Sequence, residues 1–150
     1  MSLLPTVQQR SEVIERAINI EWLMALVICQ HYLHKVLWPF LVEVLYDENF
    51  SFGLKVAIIL KICKPTTQQE QDLRCVNRIR NQFAHLGPHV ATSARPSEFF
   101  IPDPRRPDRP IDFAALYHEF QSLAGRVEEF LGQALLARGG QLTEKPPAAT

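Results

Sequence analysis

Apolar residues in the first part of the chain recur at helical spacing. Between residues 6 and about 37 they occur at three- and four-residue steps, which would place them on one face of a helix: Val13, Ala17, Ile20, Met24, Val27 and Cys29. Thr6, which follows Pro5, is a plausible N-cap, and Pro39 disfavours helical geometry at the residue before it. The pattern predicts a long first helix that ends or kinks near Trp38.

A short helix and a strongly apolar helix are predicted next. The short one spans Pro39 to Tyr46, since proline is tolerated in the first turn of a helix. A turn follows at Asp47-Glu48-Asn49. The segment from Phe52 to Cys63 is apolar on nearly all sides apart from Lys55 and Lys61. That pattern is typical of a central, heavily packed helix.

The fourth predicted helix begins with a capping box and ends at a glycine-proline pair. Thr67 and Glu70 have the spacing of a capping box, and Gly87 and Pro88 should stop the helix at about Leu86. The apolar positions that share one side of this helix form its predicted core face: Leu73, Val76, Ile79, Phe83 and Leu86.

The remainder of the chain is predicted to be a long loop, a last helix and a tail. Residues 88–111 form a proline-rich loop, which at this length is either functional or loosely ordered. Asp112 should cap the last helix, whose inward residues are Leu116, Phe120, Leu123, Val127, Phe130 and Leu131. Residues 139–150 are expected to be a disordered tail. No alternating strand pattern occurs, so we predict an all-α fold with one domain over residues 1–138.

Composition narrows the function classes. The formal net charge of the 150 residues is zero, which argues against a polybasic protein that binds nucleic acid by charge alone. Three scattered cysteines in apolar helical context predict buried, reduced thiols. Polar residues interrupt the most apolar segment, Trp22 to Tyr46, and the N-terminus lacks the features of a signal peptide. We therefore expect a cytoplasmic protein that does not insert into a membrane.

The sharpest chemical feature is the hexapeptide Arg80-Asn81-Gln82-Phe83-Ala84-His85. At about 100° per residue, the polar side of this helix carries a stripe of Arg74, Asn77, Arg78, Asn81 and His85. A solvated helix face usually mixes lysine and glutamate, which have better helix propensity than asparagine or histidine. Arginine binds phosphate and histidine transfers protons. The stripe therefore suggests phosphate chemistry.

Arg80 and His85 are five positions apart, so a straight helix splays them by about 140°. One copy is a poor clamp for a single phosphate. Two copies related by a two-fold axis, with stripe facing stripe, would bring both Arg80–His85 pairs into one cleft. A homodimer is therefore part of the chemical hypothesis.

These residues resemble the motif of the HEPN superfamily, in which an arginine is followed after four to six residues by a histidine, often with asparagine next to the arginine. The context FSFGLKVAIILKI and DLRCVNRIRNQFAHL resembles most the branch with mannitol-operon repressor-like proteins. The similarity covers roughly residues 10–90. It implies a HEPN-like four-helix bundle, here with an additional short helix and the proline-rich loop before the last helix.

The resemblance also implies a function. Catalytic members of the superfamily are metal-independent, dimeric ribonucleases, so Arg80, Asn81 and His85 would be catalytic and no cofactor or metal would be needed. The products would be a 2′,3′-cyclic phosphate and a 5′-hydroxyl. Arg74, Asn77, Arg78 and His89 are the expected RNA- or phosphate-binding residues. Such a homodimer would act on RNA, as a toxin or defence component with a possible antitoxin or regulatory protein as partner.

Three alternatives remain open. Repressor-like relatives are often non-catalytic regulators or adaptors, so the stripe could bind a protein partner or a nucleotide. His31 and His34 lie one helical turn apart, but they lack acidic or cysteine partners for a metal. Arg105, Arg106 and Arg109 could guide an RNA backbone or form a solvated loop.

Overall fold

The computed structural model describes residues 4–86 and 102–141. It confirms the all-α class. The helices are α1 (Val7–Leu33), α2 (Trp38–Phe40), α3 (Phe52–Ile62), α4 (Thr67–Ala84) and α5 (Phe113–Ala137). A π-helical segment, Leu41–Leu45, continues α2.

A small hairpin corrects the prediction for the proline-rich segment. Strands β1 (Pro102–Asp103) and β2 (Arg106–Pro110) pair antiparallel in what was expected to be a loop. The two strands are too short, and β2 too proline-rich, to show an alternating pattern. The Asp103 carboxylate helps to form the turn by accepting the Arg105 backbone N–H at 2.9 Å. Residues 87–101, the earlier part of the predicted loop, lie outside the described residues, as do residues 142–150 of the predicted tail.

The helix caps are partly as predicted. Thr6 caps α1: its Oγ1 accepts the Gln9 N–H at 3.0 Å, and Gln9 Oε1 accepts the Thr6 N–H at 3.1 Å. The capping box of α4 is one residue earlier than predicted. It joins Thr66 and Gln69, with distances of 3.2 and 2.9 Å, because a glutamine at the third position returns the bond as well as glutamate does. The Glu70 side chain therefore takes no part in the cap.

The central helix is α1 rather than α3. Seven consecutive residues of α1, Met24 to Gln30, are buried, because α1 packs on α3, α4, α5 and the π-helical segment. In α3 only Phe52, Lys55, Val56 and Ile59 are buried. The expectation that α3 is heavily packed was therefore wrong. Its neighbours α1 and α4 cover one side only, and the exposed fraction of Leu54 is 43 %.

A buried lysine joins α3 to α1. The Lys55 ammonium donates to Glu21 Oε1 at 2.7 Å and to the Phe50 carbonyl at 2.9 Å. It also lies 5.0 Å from the ring centre of Tyr46 and 5.4 Å from that of Phe50. Burial, together with the Glu21 charge, raises the pKa of Tyr46 above its usual range. Lys55 therefore holds the end of the π-helical segment and α3 against α1.

The inward faces of α4 and α5 are as predicted. All five expected core residues of α4 are buried, and so are Phe120, Leu123, Val127 and Leu131 of α5. Leu116 and Phe130 are partly buried and pack against this core. The Asp112 carboxylate caps α5 by accepting the Ala115 N–H at 3.1 Å. No helix in the two described ranges is long and apolar enough to span a membrane.

Candidate functional site

The polar stripe of α4 lies beside α3 and forms one wall of a groove. The groove has a volume of about 700 Å³ and runs between the two helices. From α4 it is lined by Glu70, Arg74, Asn77, Arg78 and Asn81, and from α3 by Gly53, Val56, Ala57, Leu60 and Lys61. Four of the predicted site residues therefore share one surface: Arg74, Asn77, Arg78 and Asn81.

Arg80 and His85 are not among the residues that line this groove. Arg80 is half-buried beside the start of α3, next in sequence to the groove residue Asn81. Its guanidinium carbon is 5.4 Å from the centre of the Phe52 ring. One terminal nitrogen donates to Asn81 Oδ1 at 3.0 Å. Stacking on an aromatic ring and a hydrogen bond to the neighbouring amide restrict the side chain. Asn81 therefore connects Arg80 with the groove.

His85 is exposed at the C-terminal cap of α4. Its backbone N–H donates to the Asn81 carbonyl at 3.0 Å, which places the two residues one turn apart on the same face. The imidazole has no hydrogen bond to any residue that the structure describes. The end of α4 is held by Arg10 of α1, whose Nε donates to the Phe83 carbonyl at 3.2 Å. His85 therefore projects from a fixed backbone.

The arginines of the groove have partners at the protein surface. Arg74 pairs with Glu70 at 2.8 Å, and both side chains are largely exposed. Arg78 lies 3.0 Å from the Cys75 sulfur and 3.7 Å from Glu119 Oε1. Exposed ion pairs contribute little free energy. Both guanidinium groups can therefore exchange these partners for a phosphate.

Asn77 is the unsatisfied member of the groove. Its Oδ1 is buried and has no hydrogen-bond partner among the residues of the described chain. Gly53 lies opposite, where an added Cβ would be 3.6 Å from Asn77 Nδ2. A buried oxygen without a donor costs about 1–3 kcal/mol. Because Oδ1 is covered, a ligand in the groove can bond to it only after the Asn77 side chain rotates toward the groove.

The environments of the three cysteines are only partly as predicted. All three are free, but only Cys29 is fully buried, whereas Cys63 and Cys75 are partly exposed. Burial and a hydrogen bond to Glu119 raise the pKa of Cys75 to about 12. Burial likewise raises the pKa of Cys29 and of Cys63. The protonated thiol at Cys75 is a contact of Arg78 rather than a nucleophile.

His31 and His34 lie away from the groove, at the end of α1. His31 Nδ1 accepts a hydrogen bond from Arg138 at 3.2 Å, and His34 occupies the left-handed C-cap of α1. Among residues 4–86 and 102–141, no group of three His, Cys, Asp or Glu side chains is placed to hold a metal ion. His89, a predicted RNA-binding residue, lies outside the described residues.

Sequence reasoning missed the second wall of the groove. Helical periodicity placed the α4 residues on one face, but it could not say which element lies beside that face. The available signals were Gly53 and Lys61, which are exceptions in an otherwise apolar helix. Neither residue predicts a groove by itself, because an otherwise apolar helix is typical of a central, heavily packed element.

Comparisons with known proteins add no further constraint. No protein-family model matches the chain, and no curated protein or solved structure matches it.

Proposed function

We propose that this protein is a metal-independent RNA endonuclease of the HEPN type that acts as a homodimer. The observation that carries the proposal is the arrangement of Arg80. Its guanidinium is stacked on Phe52 and hydrogen-bonded to Asn81, which itself lines the groove. A positioned cation beside a polar groove suits a phosphate whose negative charge increases during the reaction.

The reaction uses groups that this chain and its substrate supply. His85 removes the proton from the ribose 2′-hydroxyl, or donates one to the departing 5′-oxygen. The 2′-oxygen attacks the adjacent phosphorus, the bond to the 5′-oxygen breaks, and a 2′,3′-cyclic phosphate forms. Because the nucleophile belongs to the substrate, no metal-bound water is required. DNA lacks the 2′-hydroxyl and is not cleaved.

The dimer supplies the second half of the cleft. Within one chain Arg80 bonds to Asn81 and not to His85, in agreement with the wide angle between positions 80 and 85. A second copy related by a two-fold axis would set the His85 of one copy opposite the Arg80 of the other. Such a nuclease, active in the cytoplasm, would act as a toxin or defence component held in check by an antitoxin or regulatory protein.

The proposal is tested by incubating a mixed RNA pool with the protein in EDTA. We expect fragments with 2′,3′-cyclic phosphate ends. His85→Ala should lower the cleavage rate by about 100-fold or more, which is the usual contribution of a general acid or base. Arg80→Lys keeps the charge but loses the planar contacts, so we expect a smaller loss than for Arg80→Ala.

His118→Ala is the matched control, because His118 is also exposed but lies on α5 outside the groove. It should cleave at the wild-type rate. Absence of cleavage by folded, dimeric wild-type protein would reject the nuclease.

A non-catalytic regulator or adaptor is the second candidate. Its support is a set of exposed apolar side chains on the π-helical segment and α3. The exposed fractions are 60 % for Val42, 40 % for Val44 and 43 % for Leu54. Surfaces of this kind mark protein contacts when they are contiguous. A regulator would bind a protein partner and would not cleave RNA, so His85→Ala would have no cleavage to abolish.

A further inference from the structure

The two walls of the α3–α4 groove differ in chemistry. The α3 wall presents aliphatic carbon from Val56, Ala57 and Leu60, whereas the α4 wall presents the amides of Asn77 and Asn81. An aliphatic surface is suited to the face of a nucleobase, and side-chain amides to its hydrogen-bonding edge. Binding the phosphates of a nucleotide chain requires a third kind of group, a cationic side chain.

Cations are present at the same surface. Lys61, Arg74 and Arg78 line the groove, and Glu70 is the one acidic side chain among its lining residues. Glu119 lies 3.7 Å from Arg78, so three cations face two carboxylates. The local charge is therefore positive although the net charge of the chain is zero. This charge lies along the groove rather than over the whole surface. It favours a short anionic ligand in the groove over general adhesion to nucleic acid.

We propose that this groove is the binding site for a single-stranded stretch of the RNA substrate. The bases lie against the α3 wall, Asn77 bonds to a base edge, and Arg74 and Arg78 bind phosphates. The inference rests on the proposed nuclease function, because it extends the substrate from the scissile phosphate at Arg80 and Asn81. The groove follows α4 from Glu70 to Asn81, which is about 16 Å at 1.5 Å per residue.

The strand must be single because the apolar wall can only contact a base whose face is free. In a duplex the faces are stacked and the deep major groove excludes side chains. Asn77 has an additional reason to bind a base. Its buried Oδ1 has no partner in the described chain, and a base amino group would supply the missing donor once the side chain has rotated toward the groove.

Glu70 acts as a competitor for Arg74. The Glu70 carboxylate holds this guanidinium at 2.8 Å in the absence of RNA. A phosphate must displace it or share the arginine with it. Removing the carboxylate should therefore strengthen binding, an effect opposite in sign to that of most substitutions in a binding site.

Binding is measured with 2′-O-methyl RNA tetranucleotides, one for each base, by isothermal titration calorimetry. These strands cannot form the cyclic phosphate, so binding is read independently of cleavage. We expect Glu70→Gln to bind about threefold more tightly. Ala57→Glu places a carboxylate on the α3 wall and should weaken binding by about tenfold, as a like charge near two phosphates does.

Asn19→Glu is the matched charge control, since Asn19 is exposed on α1 and does not line the groove. It should bind as the wild type does. Asn77→Ala should reduce the spread of affinities among the four strands. Light scattering of each variant reports whether it keeps the wild-type oligomeric state. A logarithmic plot of affinity against salt should have a slope of about −1.4 if two phosphates are bound.

Two results would overturn the inference. One is equal binding by wild type, Glu70→Gln, Ala57→Glu and Asn19→Glu. The other is absence of binding by the wild type. The proposed nuclease function can fail separately from this inference. His85→Ala should bind these strands as the wild type does. If the wild-type protein binds the strands but cleaves no RNA, the nuclease is rejected and the binding site is retained.

Discussion

The two lysines of α3 are in opposite environments. Lys55 is completely buried, and its ammonium group meets a carboxylate, a backbone carbonyl and two aromatic rings. Lys61 is exposed, lines the groove and has no hydrogen bond or ion pair to any described residue. The difference is one of position: the charge of Lys55 is fully paired in the interior, whereas Lys61 keeps free bonding capacity at the groove. The pairing of the interior is not complete, because Trp22 Nε1 and Gln82 Oε1 are also buried without a partner among the described residues.

Helix α4 repeats the contrast within two turns. The Asp72 carboxylate is buried and accepts hydrogen bonds from Arg126 at 2.8 and 2.9 Å and from Gln68 at 2.8 Å. Five residues later, the Oδ1 of Asn77 has no donor among the described residues. Polar groups on the α5 side of α4 therefore stabilise the fold. Those on the α3 side are available for binding.

The largest expected effect on stability is at the Lys55 pair. Glu21→Met removes the carboxylate while Lys55 stays buried as an uncompensated charge. Breaking a buried ion pair in this way costs about 3 kcal/mol of unfolding free energy. Urea unfolding measures the loss. Glu15→Met, an exposed position on the same helix, is the control and should change stability by less than about 0.5 kcal/mol. Equal stabilities for the two variants would contradict the account of Lys55.

A smaller, pH-dependent effect is expected at Asp72. The hydrogen bond from Arg126 holds the pKa of Asp72 below its usual value. The ionised carboxylate therefore stabilises the folded state above the unfolded pKa of about 3.9, and this contribution is lost as the pH falls through the lower folded value. At pH 7 we expect Asp72→Asn to cost about 1.5 kcal/mol, the lower end of the range for a hydrogen bond to a charged group, because the Arg126 side chain is half exposed.

The pH dependence distinguishes this explanation from a loss of packing. Urea unfolding of wild type and Asp72→Asn should show a difference that shrinks between about pH 5 and about pH 2. A difference that stays constant over this range would mean that the charge of Asp72 is unimportant.

The smallest effect is expected for Gly53→Ala, which should raise the stability of the fold but weaken binding in the groove. Gly53→Ala places a Cβ at 3.6 Å from Asn77 Nδ2 and 3.8 Å from Ser51 Oγ, which are ordinary contacts. Gly53 is the second residue of α3, so alanine should stabilise the fold by no more than about 0.5 kcal/mol, the low end of the gain in the middle of a helix. The same methyl group narrows the groove beside Asn77, so binding of the 2′-O-methyl strands should weaken.

Gly132→Ala on α5 provides the matched control, because a Cβ there meets nothing within 4 Å. Gly132 lies in the interior of α5, so this variant should stabilise the fold by about 0.5–1 kcal/mol with no change in binding. Thermal unfolding and calorimetry on both variants make the comparison. Weaker binding by Gly132→Ala would contradict the assignment of the groove.

Most of the fold could be predicted because the helices carry strong local signals. The apolar spacing of α1 and α4 and the caps at Thr6 and Asp112 depend only on nearby residues. The misplaced cap of α4 shows the limit of such signals. Two adjacent threonines each have a suitable partner three residues later, and only the hydrogen bonds identify Thr66 as the cap.

The candidate site was predictable on one helix only. Arg74, Asn77, Arg78 and Asn81 share a face of α4 by periodicity, and the structure places all four in the groove. The identity of the helix that forms the other wall depends on long-range contacts, which the spacing along α4 does not reveal. Lys55 shows why the sequence misleads about α3. A lysine in an apolar helix marks a solvated position more often than a buried one, but Lys55 is completely buried.

The sequence by itself determined the helical class, the inward faces of α4 and α5, and the polar stripe that ends at His85. These properties follow from spacing along one chain segment and from the chemistry of single side chains. The tertiary structure decided that α1 is central, that Lys55 is buried and Lys61 is not, and that the stripe meets an aliphatic wall. Burial and the partners of a charge depend on which helices pack together, because the free energy of a polar group is set by its three-dimensional surroundings.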